Sequence, residues 1–277
     1  VAAGTFRLIG QEVKLGNDWQ QLQQPQLWRY HLHYWDWAWY LVSKSDPAVG
    51  AGTISGFWRA WSAANELGLG DAWSPYVVAL RIWTLCGLHG ALVDTELRRT
   101  FATEVSHHAA YLAWNIENDV GGNHLVKNFK AMVGASVFTA DERSLDRWLT
   151  ALRAQLEIQV LADGGHFERS PAYHAQVLGD LIDIEALLES SGHPTQDWLS
   201  DAVARMRSWL STLVGPDART PVLNDGATVG PAELTLLGVG RPEAPKRLVY
   251  LDATGIIVAT PAPDVQFVMD VGDPCPD

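Results

Sequence analysis

Cysteine is nearly absent from this 277-residue chain: there are two, Cys86 and Cys275, too few for a disulfide framework or a thiolate zinc site. Cys86 falls in an apolar helical pattern and reads as a packed core thiol. No apolar run reaches the roughly 18 to 20 residues that would span a bilayer. The opening stretch, Val1 to Arg7, lacks the basic-then-apolar order of a signal peptide. Positive charge is scarce too, with 20 Lys and Arg against 32 Asp and Glu and a formal net charge of −12. That balance disfavours nucleic acid and anionic membrane as partners. It suits a polyanionic ligand only if acids such as Asp141, Glu142 and Asp146 stay on polar helix faces. A Ser-His-Asp order, a phosphate loop and an HExxH helix are all missing. With 47% apolar and 19% charged residues, the chain has the composition of a folded protein and room for one large domain or two unequal ones.

The excess is in tryptophan, of which there are 13. Four stand in Leu27 to Tyr40 (LWRYHLHYWDWAWY) with three tyrosines and two histidines. Indole faces stack on the C–H faces of sugar rings, so a tryptophan-lined cleft suits carbohydrate. Large aromatics also fill wide helical cores, and roughly two thirds of these tryptophans are expected there.

Residues 27 to 214 read as helices with short breaks. Leu145, Trp148, Leu149, Leu152, Leu156 and Val160 recur at three- and four-residue steps, and Thr139 with Glu142 predicts a capping box at that helix's start. Val177, Leu181, Ile184 and Leu188 form a second stripe. Leu199, Val203, Met206, Leu210 and Leu213 form a third, stopped by Gly215-Pro216. Short connections predict antiparallel helical hairpins. After residue 215, Gly, Pro, Asp and Thr become frequent. β-rich runs follow at Leu248 to Leu251, Gly255 to Thr260 and Val265 to Val271. Three strands bury too little to stand alone, so a longer β domain is expected to continue from them.

Three polar segments stand beside glycines. In Asn115 to Asn128 (NIENDVGGNHLVKN), Gly121-Gly122 permit a tight turn and Asn123-His124 open a helix; an Asn there is most simply an N-cap. In Asp163 to His174 (DGGHFERSPAYH), Glu168 and Arg169 can pair, and Ser170-Pro171 starts a helix with Pro at its first position. Tyr173 and His174 fall in its first turn, where the helix dipole favours developing negative charge. Tyr173 reads equally as a proton donor or as a half-buried structural tyrosine. Asn224-Asp225-Gly226 is a turn signal.

Together these segments resemble the heparinase II/III and alginate-lyase superfamily of polysaccharide lyases. The matching pieces, in chain order, are Leu27 to Trp37, Trp73-Ser74-Pro75-Tyr76 with Arg81, Gly122 to Leu125, Asp163 to Gly165, Glu168 to His174, and Asn224 to Gly226. Thr254 to Gly272 looks like the opening of the family's β-sandwich. The resemblance implies a mainly α fold: an (α/α) toroid over residues 1–240, then the first strands of an antiparallel β-sandwich over 241–277. It implies cleavage of a uronic-acid-containing polysaccharide by β-elimination, with no cofactor and no metal. Asn123 would neutralise the uronate carboxylate, His124 would help hold it, and Tyr173 would act as general acid. Glu168, His174, Arg81, Tyr34 and Trp73 are the expected substrate-binding or supporting residues. The implied partner is an acidic polysaccharide, and the implied place of work is periplasmic or secreted. The family draws a further catalytic histidine from the β-sandwich, which this chain would obtain from sequence beyond Asp277.

Two other readings stay open. The same toroid hosts glycoside hydrolases, for which Asp163, Glu168 and Asp225 would be candidate carboxylates. An aromatic cleft could also bind polysaccharide without chemistry. The scarcity of cations, with Arg29, Arg81, Lys127 and Arg169 nearest the motifs, favours a carboxylated polymer over a heavily sulfated one.

Overall fold

The computed structural model describes residues 4–272; Cys275 lies outside them. In chain order the elements are β1 (Thr5–Leu8), β2 (Gln11–Lys14), α1 (Gln26–Tyr34), α2 (Ala38–Lys44), α3 (Pro47–Ala64), α4 (Pro75–Ala91), α5 (Thr95–Trp114) and α6 (Gly122–Thr139). They continue with α7 (Glu142–Gln159), α8 (Pro171–Ser190), α9 (Asp197–Leu213), α10 (Pro231–Leu236), β3 (Leu248–Leu251), β4 (Ile256–Ala262) and β5 (Val265–Asp270). The expected mainly helical fold ending in antiparallel strands is present. Packing divides the chain into two units, residues 1–119 with 130–145, and residues 120–129 with 146–277.

Helix starts follow from local chemistry. Asp46 accepts from the backbone N–H groups of Ala48 and Val49, with Pro47 at the first helical position of α3. Asp94 caps α5 through Leu97 N–H at 2.8 Å. Ser170 caps α8 through Tyr173 N–H, with Pro171 following, as the sequence predicts. The capping box at Thr139 is not formed. Thr139 is the last residue of α6 and its hydroxyl donates back to Ala135 C=O at 2.8 Å. Asp141, nearer to α7, accepts from Ser144 N–H at 3.1 Å instead, because a carboxylate three residues ahead of that N–H is the stronger cap.

The first unit is built on aromatics. Phe6 meets Trp37 edge-on at 4.8 Å, Trp35 meets Trp58 at 4.8 Å, Trp58 meets Phe101 at 5.1 Å, and Trp73 stacks on His108 at 4.8 Å. Nine of the thirteen tryptophans are buried, so most serve as core and few are free to meet a ligand. Arg81 is 0% exposed, lying 4.6 Å from the Trp61 ring and 5.2 Å from that of Trp73. Its Nη1 donates to the carbonyls of His33 and Ala72 at 3.1 and 2.8 Å. Burial pulls its pKa down to about 9, with Glu104 and Tyr111 opposing. β1 and β2 pair as a hairpin across Ile9 and Gly10, both at positive φ. The sequence reading passed over this hairpin, since TFRL and QEVK mix charged and polar residues and show no β-rich run.

In the second unit the three apolar stripes are buried as expected: Trp148, Leu152 and Leu156 on α7, Val177, Leu181, Ile184 and Leu188 on α8, and Leu199, Val203, Met206, Leu210 and Leu213 on α9. The sheet has the order β3-β4-β5, with Leu248 opposite Ala259 and Ile257 opposite Met269. One face of β4 is covered through Ile256 and Val258, whereas Leu248, Tyr250, Phe267 and Met269 are exposed on the other. Cys86 on α4 is partly buried, and burial pushes its thiol pKa up to about 12.

Trp35 should anchor the first unit by packing alone, since its Nε1–H has no hydrogen-bond partner. Trp35→Ala is expected to cost about 3–5 kcal/mol, read as a fall in urea midpoint at unchanged m-value.

Candidate active site

Two helix N-termini and two loops form the site, all within the second unit. α6 begins at Gly122, with Leu125 N–H bonded to Gly121 C=O at 3.1 Å. Asn123 therefore stands one residue inside the helix and is not its N-cap. Its backbone N–H donates to one oxygen of Glu168 at 3.0 Å and its side-chain amide to the other at 3.3 Å. A carboxylate from the loop before α8 thus does the capping that the sequence assigned to Asn123. Gly122 has to be glycine: its φ is +51°, and a Cβ there would lie 2.1 Å from Glu168 Oε1. Burial raises the Glu168 carboxyl above its usual range. The Asn123 hydrogen bonds and His124 oppose that rise, and Asp225 adds to it.

Across the site, Ser170 and Pro171 set Tyr173 in the first turn of α8. The Tyr173 hydroxyl donates to Asp225 Oδ2, and the Ser170 hydroxyl donates to Asp225 C=O. Asn224, at φ +54°, donates from its amide to Arg169 C=O at 2.9 Å. Gly226, at φ +126°, lets this turn press against Ala172, where a Cβ would approach to 2.7 Å. A cavity of about 460 Å³ results, lined by Gly122, Asn123, His124, Glu168, Tyr173 and Asp225 among others. With two helix N-termini at its wall, it favours a bound carboxylate.

Behind this wall, His174 is buried and stacked on Trp209 at 4.4 Å. Its Nδ1 accepts from His166 N–H at 3.1 Å and its Nε2 lies 3.0 Å from Met206 C=O, which sets the Nε2–H tautomer. Burial lowers its pKa to about 4. Asp163 accepts from Gly165 N–H at 3.0 Å and from the N–H and hydroxyl of Thr254 at 2.7 and 2.8 Å, fixing the Asp-Gly-Gly turn to the β3–β4 connection. Lys127 on α6 meets Asp180 on α8 at 2.6 Å, both largely buried. Sequence reasoning had no signal for this pair beyond helical spacing: Lys127 is four residues past Asn123, and Asp180 seven past Tyr173.

Asn123, His124, Glu168 and Tyr173 are thus brought to one cavity, with His174 supporting it. The other three expected residues belong to the first unit. Arg81 and Trp73 are core, as above, and Tyr34 is buried with its hydroxyl pKa raised by burial and by Tyr76. Asp225 was read as part of a turn and, for the hydrolase alternative, as a candidate carboxylate, but not as a partner of Tyr173. The signal that would have found it is the need of a tyrosine acid for a nearby carboxylate.

The chain is mainly helical, with antiparallel hairpins and an asparagine and a tyrosine near two helix N-termini. The Heparinase II/III N-terminus family model matches residues 70–235, and the chain belongs to that family. Similar solved structures include heparinase III, at a TM-score of 0.74 and 16% identity over 91% of this chain and 45% of that one. Heparan sulfate lyase HepC from Pedobacter heparinus has a TM-score of 0.67 and 19% identity over 97% and 49%. These likenesses show the shared fold, a helical toroid class. Among curated proteins, FtsZ-localized protein C of Caulobacter vibrioides is 27% identical over 84% of this chain and 41% of its own length. Heparin-sulfate lyase of Pedobacter heparinus is 23% identical over 71% and 32%. The chain therefore spans less than half the length of the curated relatives it matches. Among the described residues no helix is long and apolar enough to cross a membrane.

Lys127→Met removes the cation beside the largely buried Asp180 carboxylate and is expected to lower stability, with part of the loss regained in Lys127→Met/Asp180→Leu; urea unfolding measures both. His174 sets a second expectation. A histidine whose folded pKa falls from 6.5 to about 4 contributes stability above pH 6.5 that is lost as pH falls towards 4, because only the unfolded chain takes up the proton in that window. The His174 ring resonances should stay those of the neutral Nε2–H tautomer down to pH 5.

Proposed function

We propose that this chain is the helical part of a polysaccharide lyase that cleaves a uronic-acid-containing polysaccharide by β-elimination, leaving a 4,5-unsaturated uronate end. The observation that carries it is the placing of Asn123, His124 and Tyr173 around one cavity beneath two helix N-termini. The C5 proton of a uronate is too weak an acid to remove until the charge growing on its carboxylate is stabilised. An amide donor and a helix N-terminus supply that stabilisation. In this reading the uronate carboxylate takes the Asn123 amide that Glu168 holds in the free protein, and His124 shares the load. The C5 proton passes either to an ionised Tyr173, which then hands it to the departing O4 as the C4–O4 bond breaks, or to the histidine expected from the β-sandwich while Tyr173 protonates O4; Asp225 orients the Tyr173 hydroxyl. His174, fixed between His166 and Met206, holds the first turn of α8 in place.

We also propose the division into an (α/α) toroid over 1–240 and the opening of a β-sandwich from 241. The exposed apolar row Leu248, Tyr250, Phe267 and Met269 supports it, as the face a second sheet would cover. Such a sandwich would bring the family's additional histidine. The substrate is an acidic polysaccharide of low sulfation, met in the periplasm or outside the cell. In support, Arg29 is held by Asp71 at 2.5 Å, Lys127 by Asp180 and Arg81 by the core, so these cations are not free for sulfate. The relatives named for heparin or heparan sulfate pull the other way, and salt dependence decides between them. Asp163 is committed to Thr254, which weakens a hydrolase reading built on it. A non-catalytic reading draws on the relative named for its localisation with FtsZ rather than for a reaction.

Incubation with a panel of uronic-acid polysaccharides, using this chain and a form extended through a complete sandwich, tests the proposal by ultraviolet absorbance of the unsaturated product. Tyr173→Phe should lower the rate by ~10²–10⁴-fold and Asn123→Ala by ~10²–10³-fold. Reducing ends without absorbance would indicate hydrolysis, and binding without either product would indicate the non-catalytic reading. Strongest action on highly sulfated chains, falling steeply with salt, would overturn the substrate assignment.

A further inference from the structure

A second cavity, about 690 Å³, belongs to the first unit and shares no residue with the site above. It opens where α3 and α5 end. Its aromatic lining comprises Trp61, Trp73, Tyr111 and Trp114, and its charged lining is two carboxylates, Glu66 and Glu104. Trp61 and Trp73 form buried floor, whereas Trp114, the last residue of α5, is 91% exposed. A tryptophan held so far out gains almost nothing from folding, so the fold alone gives no reason for an indole at this position.

The lining is mainly acidic, with His107 as its titratable base. Neither α3 nor α5 carries a basic residue in its last turn, so the negative helix ends meet only neutral donors here, such as the Asn65 and Asn115 amides on Trp61 and Tyr111 C=O. Among the described residues no Lys or Arg lines the cavity. Arg81 is sealed under Trp61 and Trp73. Burial raises the Glu104 carboxyl, with His107 and Arg81 opposing, so a ligand cation would meet a carboxylate that gains from its arrival. Sulfate or uronate is repelled by such a lining. A cation is drawn to it both by charge and by the aromatic faces.

We propose that this cavity is a binding site for a sugar residue carrying a free, protonated amine. The C–H face of the ring lies on Trp114 and the ammonium turns to Glu66 and Glu104. Aromatic walls with carboxylates would accept other organic cations, and the exposed flat indole selects a ring over a flexible chain. The site depends on the lyase reading only for the choice of a sugar, and it needs no turnover.

Isothermal titration of the 277-residue chain at mildly acidic pH, where the amine is protonated, tests it. The probes are a β-1,4-linked glucosamine tetramer, its fully N-acetylated counterpart and a blocked lysine amide. The free-amine tetramer should bind at least tenfold more tightly than either of the others, a difference of about 1.4 kcal/mol. Trp114→Ala and Glu66→Gln, both at exposed positions that leave the core intact, should each weaken it by about tenfold. Equal affinity for the two tetramers, equal affinity for the lysine amide, indifference to Trp114→Ala, or no binding would each overturn the proposal. None of these outcomes bears on the ultraviolet assay, so this site and the lyase reading can fail separately.

Discussion

The carboxylate of Glu168 is the contact on which the site's geometry turns. It accepts both the backbone N–H and the side-chain amide of Asn123, so one residue closes the start of α6 and orients the amide beside it. The first N–H groups of a helix must find acceptors, and here the acceptor comes from the loop leading into α8. That loop is held at its near end by Asp163 on Thr254, and at its far end by Ser170 and Asn224 against the 224–226 turn. Moving Glu168 would release the α6 terminus, free the Asn123 amide and shift the turn that sets Tyr173. Gly122 is the backbone's concession to this arrangement, since any side chain there would strike the carboxylate.

The same contact has a chemical sense. Under the proposed function a uronate carboxylate would take the place that Glu168 holds on Asn123, and until then Glu168 keeps both Asn123 donors paired. Such an exchange would be eased by the burial and the neighbouring Asp225 that raise the Glu168 carboxyl. A group that holds its charge at a cost is the one most readily displaced or protonated when a second carboxylate enters.

Helices came through plainly in the sequence because their evidence is periodic: the stripes on α7, α8 and α9 face the core residue for residue. Motif residues Asn123, His124, Glu168 and Tyr173 were visible because glycines and a Ser-Pro start mark their helix ends. What escaped was pairing across distance. The Lys127–Asp180 and Tyr173–Asp225 contacts join residues 53 and 52 apart in the chain, and no local pattern encodes which helix faces which. β1 and β2 escaped for a different reason, since TFRL and QEVK mix charged and polar residues into four positions, whereas the equally short β3 is the apolar run LVYL. The assignment of Asn123 as a cap failed for a third reason: a local rule was overridden by a stronger acceptor brought in from 45 residues away.

Tryptophan shows how one composition signal can hold two answers. Most of the thirteen are core, and Trp61 and Trp73 over Arg81 are a structural device in which two rings and two carbonyls offset a fully buried cation. That device removes Arg81 from the list of groups able to meet a polyanion, and it leaves Glu66, just past the end of α3, and Glu104, within α5, to set the sign of the potential in the nearby cavity. The cavity at the N-termini of α6 and α8 and the acidic aromatic cavity beside the C-termini of α3 and α5 therefore differ by one physical rule, the polarity of helix ends. Under the proposed function, helix polarity rather than the net charge of −12 would decide where an acidic polymer is accepted.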